Sequence, residues 1–111
     1  MGSDGKTMGR GIDFLEVLDE VIRQRMLKKS PESYVASLVL AGDKRLAQKL
    51  GEEAVELALA AAAGDRPEQL EEAADLLFHL LVLLNAKGIR LEEVAGLLER
   101  RHAARPTKDN E

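Results

Sequence analysis

The chain has 111 residues and no cysteine, and its 20 acidic and 16 basic side chains give a net charge of −4. This length predicts one small domain, and the absence of cysteine excludes disulfides, thiolate metal sites and cysteine nucleophiles. The acidic balance argues against a general nucleic-acid-binding face, while a small anionic substrate held through a metal stays compatible with it.

Helical periodicity dominates the chain, and it predicts an all-α fold of about five helices. The first helix is expected over residues 12–28, where apolar side chains recur on one face. Ser30 is a candidate N-cap for the second, with Pro31 at its first position. That helix should reach about Leu40 and end at Gly42.

The next two helices are predicted to form an antiparallel hairpin. Asp43 is a candidate cap for the third helix, which should reach about Ala63 and stop at a left-handed Gly64. Asp65, followed three residues later by Glu68, is typical of a capping box that starts the fourth helix. Because only a tight turn separates the two helices, they should be antiparallel neighbours.

The rest of the chain divides into one domain and two tails. The fourth helix should end at Gly88, and the fifth is expected over 91–102. We assign the domain to 12–102, with 1–11 as a tag or flexible N-terminus in which Met8 is an alternative start, and 103–111 as a flexible tail.

The fourth helix is apolar in nearly every direction around its axis. A helix of this kind must be buried all round, which five helices of one chain can hardly achieve. We therefore expect a four-helix-bundle-like core completed by a second copy, most simply in a two-fold homodimer. The apolar residues are Leu76, Leu77, Phe78, Leu80, Leu81, Val82, Leu83 and Leu84.

Two acidic pairs mirror each other about Gly64. Glu53 and Asp75 each lie eleven residues from it, and Glu56 and Glu72 each lie eight residues from it. In a tight hairpin the outer two carboxylates come level, and so do the inner two, while the spacing of three keeps each pair on one helix face. Four oxygen ligands of this kind predict a site for Mg²⁺ or Mn²⁺.

Asp75 is the most informative of these acids, because it precedes an apolar run and should be shielded from water. A shielded carboxylate needs a metal or a cationic partner, so the alternative is a structural Asp-Arg or Asp-His pair. His79 is expected to be a satisfied core histidine rather than a ligand. Tyr34, the only tyrosine, is expected in the core, with stacking on a base or ribose as the alternative.

Glu52 has two open interpretations: an ordinary solvated charge, or a rim carboxylate that positions a metal or the attacking water. Glu71, which is adjacent to Glu72, is interpreted as solvated surface. Three cations precede the acids on the third helix, and they either form i,i+4 ion pairs, such as one with Glu53, or neutralise a polyphosphate. These cations are Lys44, Arg45 and Lys49.

These residues resemble the phosphoribosyl-ATP pyrophosphohydrolase family, which belongs to the MazG-like all-α nucleotide pyrophosphohydrolases. The similarity covers nearly all of 12–102 and is carried by Ser33-Tyr34, by the segment 42–56 with its Glu-Glu-x-x-Glu, and by the segment 72–84 with its Glu-x-x-Asp. One departure is Val35, since the family usually has threonine there. No cyclohydrolase domain is recognisable, so the following pathway step is expected to belong to another protein.

The resemblance implies hydrolysis of 1-(5-phosphoribosyl)-ATP to 1-(5-phosphoribosyl)-AMP and pyrophosphate, the second step of histidine biosynthesis, with Mg²⁺. Glu52 or Glu53 would accept the proton of the attacking water. The implied metal ligands are Glu53, Glu56, Glu72 and Asp75. The implied phosphate-binding residues are Lys44, Arg45 and Lys49.

Two alternatives compete with this reading: a MazG-like house-cleaning enzyme acting on nucleoside triphosphates, and a non-catalytic helical oligomerisation module. The longest apolar run is too short to span a bilayer, and no secretory signal is recognisable. We therefore expect a cytoplasmic protein that binds a small nucleotide and interacts with neither membrane nor nucleic acid.

Overall fold

The computed structural model describes residues 11–104, which form five helices and no strand, and this confirms the all-α fold. α3 and α4 pack against each other more extensively than any other pair and form the predicted hairpin. The last helix runs two residues beyond its predicted end. The helices are α1 Asp13–Lys28, α2 Tyr34–Ala41, α3 Asp43–Ala63, α4 Arg66–Ala86 and α5 Leu91–Ala104.

The predicted start of α2 was wrong by three residues. Its cap is Ser33, whose hydroxyl accepts a hydrogen bond from the backbone N–H of Ala36 at 3.2 Å. Ser30 and Pro31 lie in the preceding turn instead. Both serines have the capping chemistry, but only Ser33 directly precedes residues with helical backbone, so the first helical residue is Tyr34.

α3 starts at Asp43 as predicted, but Asp43 is not its cap. Gly42 takes that position with a φ of 101°, a conformation that favours glycine. The Asp43 carboxylate pairs instead with the ammonium of Lys87 at 2.8 Å. This ion pair joins the start of α3 to the residue that follows α4, at the open end of the hairpin.

The closed end of the hairpin contains the predicted capping box. Asp65 accepts from the backbone N–H of Glu68 at 3.0 Å, and the Glu68 carboxylate accepts from the backbone N–H of Asp65 at 3.2 Å. Gly64 is not left-handed as predicted but extended, with a φ of −91°. Glycine is needed there for space, because a Cβ would lie 3.0 Å from both the Ala60 carbonyl and the Glu68 carboxylate.

The core lies around the C-terminal half of α4, where α1, α2 and the start of α3 pack against it. Leu81 and Val82 are fully buried, but Leu77 is 36% exposed, so one chain does not bury α4 on every side. Across residues 11–104, no helix is both long and apolar enough to cross a bilayer. The buried apolar cluster comprises Ile22, Val35, Leu38, Leu46, Leu81 and Val82.

Candidate active site

Three carboxylates converge between α3 and α4. Glu53 and Glu56 come from α3 and Glu72 from α4, and one oxygen of each lies within 4.8 Å of the others. Glu53 is buried, Glu72 is half-buried and Glu56 is exposed. A groove of about 280 Å³ leads from Glu56 and Glu72 along the hairpin to Gly64, which leaves the cluster open to solvent on one side.

The negative charge of this acid cluster is only partly compensated, since the cation that pairs with it among the described residues is Lys49, at Glu53. Burial raises the pKa of Glu72, and so do its hydrogen bond with Glu56 and the charges of Glu56, Asp75 and Glu53. Glu53 and Glu72 each also have one buried carboxylate oxygen without a hydrogen-bond partner in the described part of the chain. Unpaired buried acceptors are costly, and three oxygen donors this close together fit a hard divalent cation.

Asp75 differs from its prediction, because it is exposed rather than shielded. The prediction assumed that the apolar run after Asp75 is buried around it. Ala74 and Leu77 beside it are exposed too, so the other helices of the chain leave this part of α4 largely uncovered. Asp75 lies outside the three-residue cluster. Its charge still raises the pKa of Glu72, so it lies within electrostatic reach of the cluster.

Of the three predicted phosphate-binding cations, Lys49 lies at the cluster. Its ammonium is 3.2 Å from the Glu53 carboxylate, and the hydrogen bond between them raises the pKa of Lys49. This is the i,i+4 ion pair that the spacing allowed. Lys44 and Arg45 are exposed on the preceding turns of α3.

Glu52 is exposed beside the cluster, and its carboxylate accepts a hydrogen bond from the Gln48 amide at 3.2 Å. The position suits a rim carboxylate, and the solvent exposure suits an ordinary surface charge. Glu71 is exposed, as predicted.

Tyr34 and His79 form a contact that the sequence did not reveal. The Tyr34 hydroxyl lies 2.8 Å from Nε2 of His79, and Nδ1 of His79 lies 2.8 Å from the Asp75 carbonyl oxygen. His79 is thus the satisfied, buried histidine that was predicted, whereas Tyr34 is 49% exposed rather than in the core. The two residues are 45 positions apart, and no periodicity pairs residues across that distance.

Known proteins similar to this chain agree with one another. Residues 11–102 match the phosphoribosyl-ATP pyrophosphohydrolase family. A phosphoribosyl-ATP pyrophosphatase of Pyrobaculum arsenaticum is 55% identical over 78% of this chain and 93% of its own length. One of Methylobacterium nodulans is 55% identical over 76% of this chain and 78% of its own.

A bifunctional relative shows the same similarity within a longer protein. The histidine biosynthesis bifunctional protein HisIE of Photobacterium profundum is 44% identical over 90% of this chain, which matches 48% of that protein's length. The family match covers every acid of the cluster and all of the five helices except the last two residues of α5. The chain therefore belongs to the phosphoribosyl-ATP pyrophosphohydrolase family.

Proposed function

We propose that this chain hydrolyses phosphoribosyl-ATP to phosphoribosyl-AMP and pyrophosphate at the acid cluster of α3 and α4, with Mg²⁺, or Mn²⁺ in its place. Family membership supports the reaction, since the relatives are phosphoribosyl-ATP pyrophosphatases. The observation that supports the metal is that Glu53 and Glu72 each have one buried carboxylate oxygen without a hydrogen-bond partner among the described residues. Those oxygens need a positive partner that the described residues do not supply.

The residues of the cleft divide the work between them. Glu53, Glu56 and Glu72 would hold the cation, with Asp75 within electrostatic reach. A divalent cation there would offset the negative charge that accumulates on the pyrophosphate as the α–β anhydride breaks. The Lys49 ammonium, 3.2 Å from the Glu53 carboxylate, offsets part of the negative charge of the cluster.

Substrate binding and proton transfer fall to residues around the cluster. Lys44 and Arg45 are exposed on the turns before it and are free to meet phosphate oxygens of the substrate. For the proton of the attacking water we favour Glu52 over Glu53, because one oxygen of Glu53 accepts from Lys49 and the other would hold the cation. Glu52 is exposed, and one of its oxygens accepts from the Gln48 amide.

We also propose that the active protein is a homodimer. Exposed apolar side chains lie one turn apart on α3, at Val55 and Leu59, and two turns apart on α4, at Leu70 and Leu77. Apolar area of this kind on an otherwise charged surface favours a protein–protein contact. A second copy of the same hairpin would cover it in a two-fold arrangement.

A substrate panel tests the reaction. Pyrophosphate release is measured with phosphoribosyl-ATP and with ordinary and non-standard nucleoside triphosphates, each with and without Mg²⁺. Strong preference for phosphoribosyl-ATP supports the proposal. Preference for a nucleoside triphosphate would instead indicate a house-cleaning enzyme. If no nucleotide were hydrolysed, the non-catalytic helical oligomerisation module would be the remaining interpretation.

A further inference from the structure

The hydrogen bonds of His79 fix the direction of its contact with Tyr34. A carbonyl oxygen only accepts, so the bond to the Asp75 carbonyl requires the proton on Nδ1. In the neutral imidazole, Nε2 then carries only a lone pair. Toward a neutral His79, the Tyr34 hydroxyl therefore donates its single proton.

This arrangement leaves the outer side of the Tyr34 oxygen with lone pairs and no proton. The ring is held in place by a stacking contact with Phe78, with centroids 6.2 Å apart and an interplanar angle of 18°. Tyr34 is nevertheless 49% exposed, so part of its side chain is accessible from outside. A lone-pair acceptor binds hydrogen-bond donors, and it repels phosphate oxygens.

Tyr34 contacts the face of α4 that carries Glu72 and Asp75. Glu72, Asp75 and His79 follow one another at spacings of three and four on α4, so they share one face of that helix. The Tyr34 hydroxyl lies 2.8 Å from Nε2 of His79, whose Nδ1 lies 2.8 Å from the Asp75 carbonyl oxygen. The phenol therefore approaches this face of α4 from α2.

We propose that Tyr34 is a substrate-binding residue that accepts a hydrogen bond from an O–H group in this cleft. His79 is a positioning residue: it accepts the proton of the Tyr34 hydroxyl, which leaves the lone pairs of the Tyr34 oxygen for that O–H group. The inference rests on the proposed hydrolysis of phosphoribosyl-ATP. That reaction offers two kinds of O–H donor: the ribose hydroxyls of the substrate and the attacking water. Phosphate oxygens are excluded as partners because they are acceptors.

Four variants test the inference by steady-state kinetics. Tyr34→Phe removes the hydroxyl and keeps the ring on Phe78, and it should lower kcat/KM about 3- to 10-fold, the effect of losing one hydrogen bond. A rise in KM identifies the ribose hydroxyl as the donor, and a fall in kcat identifies the water. Ser37→Ala removes an exposed hydroxyl from the same helix and is the control, with kinetics expected to match wild type.

Variants of His79 separate positioning from packing. His79→Asn keeps a donor near Nδ1 but cannot reach Tyr34, so it should lose part of the kcat/KM that Tyr34→Phe loses. In the double variant the two losses should not multiply, because His79 acts through the Tyr34 hydroxyl that Tyr34→Phe already removes. His79→Gln places an amide oxygen near the position of Nε2 and should recover part of the activity.

NMR of the histidine side chains measures which ring nitrogen of His79 carries the proton, and a purely structural role of His79 does not predict which one. The chain has two histidines, and the His79→Asn spectrum assigns the signals. Long-range ¹H–¹⁵N correlation should show His79 protonated at Nδ1 and unprotonated at Nε2. A proton on Nε2, kinetics of Tyr34→Phe equal to wild type, or losses that multiply in the double variant would each overturn the inference. An inactive wild type would instead reject the proposed function.

Discussion

At the residue scale, the acid cluster conflicts with folding when no cation is bound. Glu72 shows the conflict most clearly, since burial and its neighbours Glu56, Asp75 and Glu53 all raise its pKa. An ionised Glu72 therefore opposes the folded state, and such opposition is typical of sites that trade stability for function. The same charges become favourable ligands once a cation lies among them.

The raised pKa of Glu72 gives a pH dependence with a definite sign. Below the ordinary value of 4.5, Glu72 is protonated in the folded and the unfolded chain, so it imposes no penalty. As pH rises above that value, the unfolded chain releases this proton more readily, and stability is lost until the folded pKa is passed. In EDTA, Glu72→Gln should therefore melt a few degrees higher than wild type at neutral pH, and the gap should close in acid.

Thermal denaturation followed by circular dichroism measures this gap at several pH values. The control is Glu71→Gln, which alters the exposed neighbouring glutamate and should leave the melting temperature unchanged. A gap that is absent at neutral pH, or that widens in acid, would contradict the assigned role of Glu72.

At the element scale, the hairpin was predictable because its stop and start signals are local. The capping box of Asp65 and Glu68 needs only four consecutive residues, and the structure confirms it. The conformation of Gly64 was not predictable, since its reason is the closeness of the Ala60 carbonyl and the Glu68 carboxylate in space. The start of α2 was ambiguous because Ser30 and Ser33 have the same capping chemistry.

The hairpin turn provides a test of that spatial reason. Gly64→Ala should destabilise the fold by about 1 kcal/mol, as expected for a side chain added where there is no room, because its Cβ would meet Ala60 and Glu68 at 3.0 Å. Gly96→Ala, in α5, meets only the flexible end of Arg100 at 3.4 Å and should stabilise by about 0.5–1 kcal/mol through helix propensity.

Urea denaturation of both variants gives the two free energies of unfolding. Gly64→Ala should also weaken Mg²⁺ binding, since α3 and α4 carry the acids on either side of this turn. If the two substitutions changed stability in the same direction, the spatial account of Gly64 would be wrong.

At the scale of the whole molecule, the sequence predicted the meeting of Glu53, Glu56 and Glu72, but it also placed Asp75 among them and did not predict how the single chain exposes these acids. The mirrored spacing predicted that Glu56 and Glu72 lie close together, and they do. In a tight antiparallel hairpin, residues at equal distances from the turn lie side by side. The exposure of Asp75 was missed, because burial depends on which elements cover a helix, and periodicity does not report that. The Tyr34–His79 bond was missed for the same kind of reason.

The proposed homodimer gives the prediction at this scale. Leu70→Lys places a charge at a 59% exposed position on α4 and should shift the protein from twice the mass of one chain toward the monomer in sedimentation equilibrium. Leu27→Lys changes a leucine that is 58% exposed on α1 and should leave the assembly intact. A wild-type protein that sediments as a monomer at every concentration would exclude the dimer.

The central claim is that the acid cluster holds the cation required for hydrolysis of phosphoribosyl-ATP. Glu56 is the best residue for the test, because it belongs to the cluster yet is exposed, so Glu56→Gln removes a ligand without disturbing the core. The measurement is the rate of pyrophosphate release from phosphoribosyl-ATP as Mg²⁺ is titrated into metal-free wild type and Glu56→Gln.

We expect no release from wild type in EDTA, a saturable rise with Mg²⁺, and at least a roughly hundredfold lower rate in Glu56→Gln at saturating Mg²⁺, as expected when a cation worth several kcal/mol is misplaced. Circular dichroism of Glu56→Gln should match wild type, which shows that the helices are intact. Full activity of wild type in EDTA, or a wild-type rate in Glu56→Gln, would contradict the claim.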